Sequence, residues 1–401
     1  MTFHRHGLTF FSYDKRKAVS AFVLAATVLA GPADVKAADE TGETLGFLVT
    51  QFAVAIHYGD FDSDCPDGLT PTTDEAYLLT QSPAERARLL LPENAREFEQ
   101  KWKTDFTTGP NGEDICRNPR SFLDDPRHPL HKLVQSKVSY GMNLDGDSTG
   151  EASAFTCKHE NFTGVNGEDG VDNQMYRIMG CAKSWRGDGP KFGGSMAVKY
   201  NSYMKDGLHN FLIELKGVND RRNDPDVEVG IYSTENNQML SASGDHIPNQ
   251  SFTVTKNPRW HNIVHGAIVD GVLTTDMLEE LNLDWFSALN GPFGAANEYA
   301  FRRARLRVEL LADGTLKGIL GGYLPIETTS AQARNGGKGV ATNGNRDCAS
   351  EYKSMAVYAD GYPDPVTGQC THISMANDVV AIPAFVIHGD DEPTKTASAK
   401  Q

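Results

Sequence analysis

LHNFLIELKGV (Leu208–Val218), NDRRNDPD (Asn219–Asp226) and VEVGIY (Val227–Tyr232) form the stretch that decides the fold. Phe211, Ile213 and Leu215 fall on one face, with Leu212 on the other, and Val227–Tyr232 alternates cleanly. A period of two is the signature of a half-buried strand. The polar, proline-containing joint between the two runs reads as a hairpin loop. Further along, Ile263–Val269 leads through Asp270-Gly271 into Val272-Leu273. Arg305–Leu311 leads through Asp313-Gly314 into Leu316–Leu320. Asp-Gly pairs between apolar runs are hairpin signals. Met196–Met204 (MAVKYNSYM) shows partial alternation, and AIPAFVIH at the end of Ile373–His388 reads as a final strand. Thr275–Leu289 reads as a short helix, and Cys348–Ala359 as another. The expected fold class is mainly β, with a sandwich-like body from about Ser195 to His388.

Upstream the character changes. Gly46–His57 (GFLVTQFAVAIH) reads as a strand or short helix. Ser82 can cap a helix that carries Pro83 at its first position and Glu85 three residues after the cap. Pro92 ends it, and Glu93–Phe106 reads as a second helix with Phe98 and Trp102 four apart. A loop-rich, partly helical N-terminal region is expected to pack on the β body. At the very start, Arg5, Lys15, Arg16 and Lys17 precede the apolar run Ala18–Gly31, and Val35-Lys36-Ala37 offers a cleavage site. That pattern predicts an export signal over 1–37. The run falls short of the roughly 20 residues needed to cross a bilayer, so no membrane span is expected after cleavage. The predicted organisation is 38–135 partly helical, 136–190 an acidic connector, 191–389 β-rich and 390–401 a disordered tail.

The formal charge is −15, from 38 Lys and Arg against 53 Asp and Glu. Removing 1–37 takes away five basic and two acidic residues and leaves 33 against 51, a charge of −18. That sign disfavours nucleic acid and anionic surfaces and suits cations. Six cysteines remain: Cys65, Cys116, Cys157, Cys181, Cys348 and Cys370. In an exported chain they read as three disulfides, among roughly 15 possible pairings that sequence cannot rank. Proximity suggests Cys65–Cys116, Cys157–Cys181 and Cys348–Cys370. No C-x-x-C, and hence no C-x-x-C-H, is present, so neither a zinc knuckle nor a c-type haem is expected. GGKG at Gly336–Gly339 lacks P-loop spacing, so no nucleotide is expected either.

Tyr140–Arg186 holds two acidic, glycine-rich turns, Asn143–Gly150 (NLDGDSTG) and Asn166–Asn173 (NGEDGVDN). Asn143, Asp145 and Asp147 alternate along the first; Asp169 and Asp172 lie in the second. Together they are the candidate metal ligands, with Ca²⁺ as the ion, because a hard cation takes six to eight oxygens. An EF-hand starting at Asn143 would need Gly where Ser148 stands and Glu where Ala154 stands, so the loop is not one. Ordinary turn chemistry is the alternative for the first turn. For the second it is capping of the helix-like QMYRIMGC by Asp172-Asn173. The histidine pairs His128/His131 and His261/His265 lack the H-E-x-x-H pattern of zinc proteases. No catalytic residue is assignable.

The run CKHENFTGVNGEDGVDNQMYRIMGC, with DGYPDPVTGQC and AIPAFV later, resembles a group of uncharacterised exported proteins of Gram-negative bacteria. The group carries a Cys-flanked GVDN turn and a DP-x-TG-x-C block. The resemblance spans Cys65 to Val386. It implies export and a shared scaffold, and carries over no catalytic residue. The functional expectation is a periplasmic or secreted binding or accessory protein, calcium-stabilised, with a ligand or protein partner. The alternative is a secreted hydrolase or lyase acting on a carbohydrate or other polymer.

Overall fold

The alternation over Phe211–Tyr232 becomes two neighbouring strands of a closed antiparallel sheet in the computed structural model, which describes residues 42–187, 194–207, 209–284, 298–330 and 347–389. The strands are β1 (Glu43–Val54), β2 (Val138–Ser139), β3 (Thr163–Gly164), β4 (Asn210–Val218), β5 (Asp224–Thr234), β6 (Gln250–Thr253), β7 (His261–Val269), β8 (Val272–Thr275), β9 (Leu278–Asp284), β10 (Glu298–Leu310), β11 (Leu316–Pro325), β12 (Gly361–Pro363) and β13 (Cys370–Ile387). The described helices are α1 (Phe61–Asp64), α2 (Thr73–Leu79), α3 (Pro83–Leu89), α4 (Ala95–Gln100), α5 (Gln174–Met179), α6 (Lys183–Arg186), α7 (Ser195–Lys205) and α8 (Cys348–Tyr358). The order β1-β4-β5-β7-β8-β10-β11-β13 follows the chain, and β13 pairs back onto β1. Eight antiparallel strands therefore close an up-and-down barrel, with β9 continuing the line of β8 along β10.

The expected mainly β character holds, but the body is this barrel rather than a sandwich. Alternation is identical in both architectures. What separates them is a long-range pairing, Phe47↔Pro383 through Val54↔Asn377, that joins two would-be edges. Inward side chains fill the lumen: Phe47, Val49 and Phe52 of β1, Phe211, Ile213 and Leu215 of β4, Val229 and Ile231 of β5, Leu306 of β10 and Val379 of β13 belong to one buried cluster. A void of ≈ 20 Å³ is left among them, room for one water at most. The barrel is a packed core, and its lumen leaves no room for a small-molecule ligand.

The two ends differ. The loop 219–223, the Asp270-Gly271 turn and the loop 311–315 lie at one end. Asp270 has φ 52° and Gly271 φ 86°, as a two-residue primed hairpin turn requires. The other end carries the long connections 55–209 and 326–369. Met196–Met204, expected as a strand, lies in α7. Met196, Tyr200 and Met204 recur every four residues and join the barrel cluster, so a helical stripe underlies what looked like alternation. Thr275–Leu289, expected as a helix, forms β9 over Leu278–Asp284, because Leu278, Leu281 and Leu283 bury against β10. Ser82 caps α3 as expected, accepting from the Glu85 amide at 3.2 Å. The export signal, the Gly336–Gly339 loop and the tail 390–401 lie outside the described residues.

All three disulfides join other partners than sequence proximity suggests. They are Cys65–Cys181, Cys116–Cys348 and Cys157–Cys370, with separations of 116, 232 and 213 residues. Cys65–Cys181 ties the start of the insertion 55–209 to its own later part, and the other two bridges tie the insertion to α8 and to β13, so the partner in space is distant in the chain. One layer of that insertion covers the outer face of β11 and β13, where Met142 and Leu144 pack on Ile319, Tyr323 and Ala376. On another outer face Phe252 and Val254 cover Leu48, Leu212 and Tyr232.

Candidate functional site

The first layer contains a buried cluster of ionisable groups. Its construction starts with the two acidic turns. The second returns antiparallel on the first, with isolated bridges Phe162↔Val171 and Met142↔Asp172. This lays Asp172 against the first turn, where its Oδ2 accepts the Leu144 amide at 2.7 Å and the Asp145 amide at 3.3 Å. Gly150 (φ 70°) allows the segment bearing His159 to close on the first turn. A Cβ there would lie 2.1 Å from the His159 carbonyl oxygen, and the His159 amide donates to Gly150 at 3.0 Å. Asp145, His159 and Asp172 thereby present ligand atoms that all lie within 4.8 Å of one another.

Each of the three side chains commits one polar atom to the backbone. Asp145 Oδ1 accepts the Asp147 amide at 2.8 Å, and its Oδ2 is buried without a hydrogen-bond partner. His159 Nδ1 lies 2.8 Å from the Cys157 carbonyl, and Nε2 lies 3.0 Å from Asp172 Oδ1. Behind them sits Asp360, wholly buried, whose Oδ1 accepts the Ser374 amide at 2.7 Å while Oδ2 has no partner. Tyr323, on the outward face of β11, is also wholly buried with an unpartnered hydroxyl.

The electrostatics couple these groups. Burial and then the Asp172 charge raise the Asp145 carboxyl. Burial, reinforced by Asp172, pushes Asp360 up to about 7. Burial alone would depress His159, but its hydrogen bonds to Asp172 and the Cys157 carbonyl, with the Asp360 and Asp172 charges, push it up to about 9. Burial and then the charges of Asp172, Asp360 and Asp145 raise the Tyr323 phenol. A register shift in β10 between Arg302 and Arg305 puts Arg303 at φ 47°. The bulge aims Arg303 at this layer, where it donates to the Leu144 carbonyl at 3.2 Å and sits 4.4 Å from the Phe155 ring centre.

Of the predicted ligands, the structure brings together Asp145 and Asp172. Asp147 instead closes its own turn through the Thr149 and Gly150 amides. Asn143 accepts the Gly146 amide and donates to the Asp147 carbonyl, and Asp169 is exposed. Capping is realised as well, by Asn173 on the Tyr176 amide at 3.1 Å. Sequence reading missed His159, Asp360 and Tyr323. The only local signal was a histidine lying between the two acidic turns. His265 pairs with Asp226 at 2.6 Å, and His128 with Asp347 at 2.9 Å; neither belongs to the cluster.

A second feature lies at the short-turn end of the barrel. A groove of ≈ 730 Å³ is lined by Leu45, Phe47, Leu311, Pro383 and Phe385, with Glu214, Asp270 and Glu309 among its acids. Two of its cations are engaged, Arg221 with Glu43 and Arg222 with Asp270. Glu214 lies in β4 between Gly46 of β1 and Gly230 of β5. Both glycines are needed. A Cβ on Gly46 would lie 2.5 Å from the Ala384 carbonyl oxygen, where β13 crosses over, and one on Gly230 would lie 2.2 Å from the Tyr232 hydroxyl. The crossing brings His388 Nε2 to 2.8 Å from Glu214 Oε2. Burial and then Glu214 raise the Tyr232 phenol. No protein-family model matches the chain, and no curated protein or solved structure matches it.

Proposed function

We propose that the chain is an exported binding protein whose ligand seat is the groove at the short-turn end of the barrel. The observation that carries this reading is the groove itself. Its ≈ 730 Å³ lie within the range of small-molecule sites, whereas the lumen beside it is full. Three disulfides support an oxidising compartment. No helix among the described residues is long and apolar enough to cross a membrane. The barrel itself is apolar inside, and its wall carries polar side chains such as exposed His261, His265 and Glu309 outside. A lipid-facing barrel has the opposite arrangement.

The lining chemistry defines the ligand class. Leu45, Phe47, Leu311, Pro383 and the exposed Phe385 offer an apolar bed. Arg221 and Arg222 are engaged and Lys216 lies 3.2 Å from Glu214, so among the described residues of the groove Glu309 is the acid with no ion pair, and it adds negative charge. The fitting ligand is amphipathic with a cationic group. The hydrolase or lyase alternative draws on Glu214, Tyr232 and His388 meeting beside the groove. It is the weaker reading, because Tyr232 is buried and its proton is held more tightly than usual. A general base needs the opposite shift.

Calorimetry and thermal melting with a long-chain alkylamine, the matching fatty acid and an oligosaccharide test this. The amine is expected to bind one-to-one and raise Tm, and Phe385→Ala to weaken it about tenfold, the loss expected from a fully covered aromatic contact. Failure of the amine to bind, or unchanged binding in Phe385→Ala, overturns the reading.

A further inference from the structure

We propose that Asp145, His159 and Asp172 form a site for a divalent d-block cation of the zinc or manganese kind, on the outer face of the barrel. This inference is independent of the groove and replaces the all-oxygen calcium set suggested by the two turns. The geometry carries it. Three potential ligand atoms from three separate segments lie within 4.8 Å of one another. Each ligand is oriented by a backbone contact through its other polar atom. His159 Nδ1 donates to the Cys157 carbonyl at 2.8 Å, which turns Nε2 to face Asp172 Oδ1 at 3.0 Å, where a bound cation would take the place of the Nε2 proton. Metal-bound histidines are characteristically held in this way. The Leu144 and Asp145 amides occupy Asp172 Oδ2, so Oδ1 is the oxygen turned to His159. The Asp147 amide occupies Asp145 Oδ1 and leaves Oδ2 buried and unpartnered.

A second observation points to a ligand. Asp360 and Tyr323 are both wholly buried, and each keeps a polar atom without a hydrogen-bond partner, Oδ2 and the hydroxyl. Both lie in the field of Asp172. Buried polar atoms are rarely left unpaired, because their lost hydration is then uncompensated. A cation held by Asp145, His159 and Asp172 would give the buried Asp145 Oδ2 a partner and offset the negative charge that Asp360 and Tyr323 face. Its type follows from the donors. Imidazole nitrogen disfavours Ca²⁺, which takes oxygens only, and two carboxylates with one imidazole match Zn²⁺ or Mn²⁺. Two negative ligands balance a divalent charge.

The full exported chain, stripped with chelator, is dialysed against equal concentrations of Zn²⁺, Mn²⁺ and Ca²⁺, and bound metal is counted per chain by mass spectrometry, with melting followed in parallel. One zinc or manganese ion per chain and a raised Tm are expected. His159→Gln and Asp145→Asn should each lose this ion and the Tm gain while keeping the far-ultraviolet spectrum. Phe385→Ala, in the groove, should keep both. Asp145→Asn guards against misfolding, since its amide oxygen can still accept the Asp147 N–H. Absence of stoichiometric metal in the folded protein, preference for Ca²⁺, or full binding by Asp145→Asn overturns the proposal.

Discussion

Asn173 joins four groups through one wholly buried side chain. Its Oδ1 accepts the Tyr176 amide at 3.1 Å and the Ala376 amide at 3.3 Å. Its Nδ2 donates to Ser139 Oγ at 3.1 Å and to the Tyr140 carbonyl at 2.9 Å. The residue therefore starts α5, anchors the layer to β13 and fixes the entry of the first acidic turn. Asn173→Ala takes the side-chain acceptor from the buried Tyr176 and Ala376 amides, while the Tyr140 carbonyl keeps Ser139 Oγ. A loss of about 2–4 kcal/mol is expected from the cost of orphaned buried polar groups, measured by urea unfolding. Asp378, on β13, makes a different prediction. Burial pushes its carboxyl up to about 7, with Lys317 opposing. The folded pKa thus stands above the unfolded value. The group's contribution is complete below about pH 4, the ordinary carboxyl range, and is lost as pH rises through about 7. Asp378→Asn should therefore raise Tm at pH 8 and change it little at pH 4. Equal shifts at both pH values would show that titration is not the cause.

At the scale of elements, the layer over β11 and β13 is fastened by few regular hydrogen bonds. Val171 and Phe162 exchange both of theirs, and the Asp172 amide donates to the Met142 carbonyl at 3.0 Å. The Cys157–Cys370 bridge supplies the covalent tie to the barrel. Replacing both cysteines with serine should leave the barrel folded and raise hydrogen exchange at the Val171 and Asp172 amides well above that of the β4–β5 pair. Uniform exchange across both regions would mean that the layer and barrel open together. This layer also explains what sequence could and could not give. Its turns were readable because Asp, Asn and Gly hydrogen-bond within a few residues, as Asp147 does. The docking of Asp172 on Leu144, and of His159 on Gly150, depends on backbone approach between separate segments, which leaves no local pattern. The same holds for Met196–Met204. Its helical stripe becomes apparent only once Tyr200 and Met204 are seen to face the barrel core.

For the whole molecule, the decisive contact is the seam. Thr50 Oγ1 donates to the Val380 carbonyl across 330 residues of sequence, and the β1–β13 ladder runs beside it. Strand alternation and Asp-Gly turns are local, so the meander β4–β5 and the hairpins β7–β8 and β10–β11 were legible. Closure is not, and a sandwich was the equal alternative. The same asymmetry governs folding. Hairpins form with little loop-closure entropy, whereas the seam must bring distant segments together. The seam should therefore form after the folding transition state. Val49→Ala, in the seam, is expected to destabilise by about 1–3 kcal/mol as a large-to-small core change, and to act on the unfolding rate. Ile231→Val, in the β4–β5 hairpin, should cost about 1 kcal/mol and slow refolding instead. Stopped-flow denaturant series on the disulfide-intact protein separate the two arms. The Cys157–Cys370 bridge links the insertion to β13 and shortens the closure that β1 must make. Because that closure comes after the transition state, removing the bridge should speed unfolding and leave both the refolding rate and the Ile231→Val effect unchanged. A Val49→Ala variant that refolds slowly and unfolds at the parent rate would place the seam in the nucleus and refute this order.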